Sequence, residues 1–275
     1  MITVWTLAAL LAYVVAAGAF GVGLKSPREQ LISWATMALA VGAGLQTVDL
    51  LLQALKAGNL PVATFAQSLA LLAWITAVVG MVVITRLRLA LVGAVVAPAV
   101  AIALAAACLM AQNDDRSLPR ALRSAWLPVH VTLAFLGQAL FVLAAGVSLL
   151  YLLKESRLKA KRPLEIPDSR LPSLESLDRI NYRLLACGFV LLSLAIVTGA
   201  LWAAGTWGRF WSWEPVELWS LVLWVLYAAL LQSRLAIGVR GRRAARLTIA
   251  LFAVLLCSYL GVNLLVPGKH GGSFG

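Results

Sequence analysis

The sequence predicts an all-α fold, a polytopic transmembrane helix bundle with about eight spans, and three observations carry that expectation. Of the 275 residues, 62% are apolar and only 12% charged, against roughly 25% charged in soluble domains. Apolar runs near the spanning length of about 20 residues recur from one end of the chain to the other. The polar residues between them form connections too short for a soluble domain, so residues 1–275 read as a single integral membrane domain.

The runs fall at about 2–24, 31–55, 65–84, 89–111, 128–153, 184–203, 217–235 and 246–266. The first lacks a basic n-region and a small-residue cleavage site, so it reads as a retained helix rather than a signal peptide. The second carries Gln46, Asp49 and Gln53 at helical spacing, one polar stripe on an otherwise apolar span. An acid inside a membrane marks function by default. Asp49 either lines a ligand path or bonds a neighbouring helix through Gln138 or Gln67, the structural role being favoured, with Gly42, Ala43 and Gly44 allowing close approach. The longest polar stretch, Lys154 to Arg183, holds eight basic and five acidic residues with three prolines. It reads as a connecting loop with one short amphipathic piece.

A net charge of +12 raises the question of nucleic acid, and the placement of the charges answers it. The connections between spans 1–2, 3–4, 5–6 and 7–8 hold 17 of the 23 Lys and Arg. By the positive-inside rule those loops face the cytoplasm and both termini are non-cytoplasmic. The excess charge is a topology signal and an attraction to anionic membrane lipid, and implies no nucleic acid. Cys108, Cys187 and Cys257 each lie within a predicted span with no Cys-x-x-Cys pair. They read as buried packing residues, which argues against thiol redox chemistry and against covalently attached haem in this chain.

Residues 207–219 are the most informative segment, with Trp207, Trp211, Trp213 and Trp219 in thirteen positions that also hold Gly208, Arg209, Glu214, Pro215 and Glu217. An aromatic belt at the membrane interface accounts for one or two tryptophans at a helix end. A loop punctuated by Gly and Pro and carrying four indoles fits a surface for a large planar ligand better. Glu214 and Glu217 sit where acids also suit the first turn of a helix.

The chain has two histidines, His130 and His270, at the ends of spans five and eight and on the predicted side of the tryptophan segment. They read either as unrelated interfacial residues or as a pair of metal ligands. Zinc needs at least three protein ligands, which two histidines without thiolates do not supply. Haem brings four nitrogens of its own and takes imidazole axially, so His130 and His270 on opposite faces would complete its iron, with the porphyrin against the indoles. Arg209 and Lys269 either pair with haem propionates or anchor the interface. No nucleophile elbow and no phosphate-binding glycine loop is present.

On these residues the sequence resembles the cytochrome c assembly family of haem-handling membrane proteins, of the CcsA/ResC type, marked by a tryptophan-rich WWD loop, here residues 203–219. Further matches are Gly58-Asn59-Leu60-Pro61, the stretch from Ser68 to Trp74, the stretch from Leu127 to Gly137 around His130, Trp224 and Tyr227, and Gly261 to Leu265 before His270. The resemblance covers about residues 40–270. It implies a bacterial plasma-membrane protein that binds haem b non-covalently through His130 and His270. Trp207, Trp211, Trp213, Trp219, Arg209 and Glu214 would surround that haem. It implies presentation of the haem to apocytochrome c beside a large second assembly subunit of the ResB/CcsB type, and leaves open a part as a haem lyase component. The family's Asp and Lys around the loop proline are Glu214 and Val216 here, and its intramembrane histidines correspond to Gln46 and Gln232. A HemX-like influence on tetrapyrrole synthesis and a small-molecule transporter are the other readings, the latter without a visible internal repeat.

Overall fold

The computed structural model describes residues 3–25, 29–86, 92–111, 126–160 and 172–265. They form eight α-helices: α1 (Val4–Lys25), α2 (Glu29–Ala57), α3 (Phe65–Arg86), α4 (Gly93–Met110), α5 (Trp126–Lys159), α6 (Leu174–Trp207), α7 (Pro215–Ala236) and α8 (Gly241–Leu265). Each of the eight expected spans has its helix, and no strand occurs among the described residues. Among the described residues seven helices, α1 to α7, are long and apolar enough to cross a membrane.

Helices α1 to α4 pack as one group and α5 to α8 as a second, joined where α3 and α4 meet α5. In the first group α1 buries a single stripe, Ala9, Tyr13, Ala16 and Phe20, the spacing of one helical face. Small residues on the facing helices receive it. A Cβ on Gly42 would stand 2.6 Å from the Tyr13 ring, and one on Gly93 would run into the Phe20 ring.

Polar groups tie the same helices where lipid offers no partner. Gln46 is 1% exposed; its Oε1 accepts the Tyr13 hydroxyl at 2.8 Å and its Nε2 donates to the Ala70 carbonyl at 2.9 Å. The neighbours expected for Asp49, Gln138 and Gln67, are not the ones it has. Thr3, just ahead of α1, and Thr6 within it donate to its two oxygens at 2.6 and 2.8 Å, and Gln53 donates at 3.0 Å. Gln67 instead accepts the amides of Ala63 and Thr64 at the start of α3.

In the second group α5 and α6 lie against each other along their length, crossing so closely at Gly137 and Gly188 that a Cβ on Gly137 would stand 3.2 Å from the Gly188 carbonyl oxygen. Both helices run further than the apolar pattern predicted. Residues 154–159 extend α5 and 174–183 begin α6, so much of the stretch read as a loop is helical. Ion pairs one turn apart, Lys159 with Glu155 and Arg179 with Glu175, and the Ser173 N-cap on Ser176 support helix where hydrophobic periodicity ends. Beneath them Arg234 of α7, its side chain 4% exposed, pairs with Asp178 at 2.8 Å and donates to Asn181. Asp178 also accepts the Gly241 amide.

The cysteines depart from expectation in burial. Cys187 and Cys257 are exposed on their helices and Cys108 is half-buried, all as free thiols.

Candidate functional site

The α6–α7 connection is built by local chemistry. Gly208 ends α6 with φ of 73°, and its amide bonds back to the Ala204 carbonyl, the left-handed stop that glycine adopts without penalty. Glu214 caps α7, Pro215 takes its first position, and the Glu214 and Glu217 side chains bond each other's backbone amides as a capping box. Of the segment 203–219, residues 203–207 therefore belong to α6 and 215–219 to α7, leaving seven residues, 208–214, as loop.

Beneath this loop lies a cavity of about 320 Å³ between α3, α5, α6, α7 and α8, within the size range of small-molecule sites. His130, Ala134 and Gln138 line it from one face of α5 at helical spacing. Trp207, Trp211, Phe210 and Trp219 wall the loop side, and Leu255, Ser258 and Tyr259 come from α8. The Oε1 of Gln138 is buried in the wall without a hydrogen-bond partner among the described residues.

His130 is held firmly. Its Nδ1 lies 2.8 Å from the Ala195 carbonyl oxygen. A carbonyl only accepts, so Nδ1 carries the proton, and whenever the ring is neutral its lone pair is on Nε2. That is the tautomer a histidine adopts when Nε2 ligates a metal and Nδ1–H bonds a backbone carbonyl. Trp202 stacks on the ring at 6.2 Å and 14° and meets Trp207 edge-on at 5.0 Å. A Cβ on Gly199 would stand 2.7 Å from His130 Cε1, so only glycine leaves room for the imidazole.

The sequence-predicted residues are thus partly assembled. His130, Trp207, Trp211 and Trp219 line one cavity. Trp213, 72% exposed, and the exposed Arg209 stand on the outer side of the loop, while Glu214 serves as the cap of α7. His270 and Lys269 lie outside the described residues. Gln46 is consumed as a helix tie, and Gln232 is exposed on α7. Ala195, Gly199 and Trp202 were missed: a backbone acceptor has no sequence signal, and Gly199 and Trp202 sit in an apolar run where they pass for packing residues.

Fold and cavity define a polytopic helical membrane protein with an indole-walled chamber at one end of the bundle. The family model for the cytochrome C assembly protein matches residues 62–270. The cytochrome c biogenesis protein CcsA of Parasynechococcus marenigrum (strain WH8102) is 33% identical over 249 residues, covering 82% of each chain. CcsA of Prochlorococcus marinus (strain MIT 9303) is 31% identical over 262 residues, covering 86% of this chain and 82% of its own. Among solved structures, the cytochrome c haem lyase CcmF shares the fold with a TM-score of 0.61 at 16% identity. It is matched over 93% of this chain and 46% of its own length. The chain belongs to the cytochrome c assembly protein family.

Proposed function

We propose that this chain takes up haem in the cavity beneath the tryptophan loop and presents it for covalent attachment to apocytochrome c. The observation that carries the reading is the His130 imidazole, held through Nδ1 on the Ala195 carbonyl, at an apolar chamber walled by indoles. Imidazole ligation and flat aromatic faces suit a non-covalent haem b. Haem so held supplies the vinyl groups to which the cysteines of an acceptor protein are joined. The chain's own residues bind, orient and keep water from it. His270 is the proposed second axial ligand. It follows α8, which already contributes Leu255, Ser258 and Tyr259 to the cavity wall, a few residues beyond the last described position. The charge pattern supports a plasma-membrane orientation with basic loops inside and this cavity outward. There the apocytochrome and a large second assembly subunit would meet it.

The experiment is complementation. In a strain lacking this protein, the wild-type gene restores covalent c-type cytochromes, and His130→Ala at equal membrane abundance does not. Full restoration by His130→Ala refutes the reading.

A further inference from the structure

Glu217 sits one turn into α7, and its Oε2 accepts two backbone amides, that of Ser212 at 2.7 Å and that of Glu214 at 3.3 Å. An acid at the third position of a capping box ordinarily reaches back to the N-cap amide alone. Here the shorter bond goes past the cap, into the loop. The two amides flank Trp213, whose φ of 57° makes it the one non-glycine residue with a left-handed backbone among the described residues. Bulky L-residues avoid that conformation. Two amides converging around a left-handed residue form a concavity suited to an anion, and a carboxylate bonded there is held by charge-assisted hydrogen bonds. The fastened loop has two faces: Trp211 lines the cavity while Trp213 is 72% exposed, with the rings edge-to-face at 6.0 Å and 84°.

We propose that residues 212–214 form a backbone anion site filled by the chain's own Glu217, a latch that pins the tryptophan loop over the cavity. Glu217, which itself reaches the cavity wall, is then a positioning residue that orders Trp211 against bound haem, and this consequence rests on the haem reading above. The latch itself does not. An anion of the same chemistry, a small carboxylate, fits the site once Glu217 is shortened.

The test uses the purified full-length protein and its Glu217→Ala, Glu217→Gln and Trp213→Gly/Glu217→Ala variants, with near-ultraviolet circular dichroism of the indoles and haem titration as readouts. Glu217→Ala is expected to lose the dichroism of the loop indoles and to weaken haem binding about tenfold or more, the loss of a hydrogen bond to a charged group. Formate at constant ionic strength restores both in a saturable way, where chloride at the same concentration restores less. Glu217→Gln falls between, since its amide oxygen accepts the same N–H groups without the charge. The double variant binds more tightly than Glu217→Ala, because glycine takes the left-handed turn without strain. Unchanged dichroism in Glu217→Ala, or formate without effect on it, overturns the latch. If the wild-type protein binds no haem, or His130→Ala binds it equally well, the haem reading fails and the dichroism arm alone decides the latch.

Discussion

The Nδ1 of His130 lies 2.8 Å from the backbone carbonyl oxygen of Ala195, one turn ahead of Gly199, where an added Cβ would strike the imidazole. Helix α6 thus sets both the tautomer and the position of the one cavity histidine among the described residues. Neither Ala195 nor Gly199 carries a reactive group, yet together they place the imidazole lone pair.

Substituting Gly199 tests this placement. Gly199→Ala improves helix propensity but puts a methyl group 2.7 Å from His130 Cε1. The imidazole must move, so haem affinity is expected to fall by about tenfold or more while helix content and expression hold. Haem titration of the variant checks it, and an affinity equal to wild type contradicts the placement.

Asp49 is expected to matter for stability and not for haem. Its carboxylate satisfies Thr3, Thr6 and Gln53 and it lines a small separate cavity with Cys108 and Gln67. Asp49→Ala strips the acceptor from the buried Thr6 and from Gln53, with an expected cost of about 2–6 kcal/mol at 1–3 per stranded group. Asp49→Asn, which keeps one oxygen, is expected to cost less. Thermal unfolding in detergent reads the order, and haem titration of Asp49→Asn is expected to match wild type.

The Arg234–Asp178 pair locks α6, α7 and the start of α8 at the end of the bundle away from the cavity. Arg234→Met leaves Asp178 without its cation and is expected to destabilise by about 3 kcal/mol, toward the lower end of buried pairs because Asp178 keeps some exposure. The Arg234→Met/Asp178→Asn double variant is expected to lose less than the sum of the two singles, a coupling that a double-mutant cycle measures directly.

The spans were legible because lipid demands long apolar runs, and each of the eight runs has become a helix. The ends of α5 and α6 were not, since Glu155, Lys159, Glu175 and Arg179 hold helix by ion pairs that hydrophobic periodicity does not register. The indole cluster and His130 announced the cavity by residue type alone. That Trp211 lines it while Trp213 stands exposed goes with the left-handed turn at Trp213, a matter of backbone torsion that a row of tryptophans does not show. Thr3 and Thr6 went unnoticed as partners of Asp49 because the register between two apolar helices lies in their packing.

The central proposal is that the cavity would hold one haem, with His130 and His270 as the two residues that would ligate it. The absorption spectrum of the purified protein tests it most directly, taken alongside His130→Ala and His270→Ala. A six-coordinate bis-imidazole spectrum in wild type that is lost or converted to a five-coordinate form in each variant is the predicted result. A wild-type spectrum that survives both replacements contradicts it.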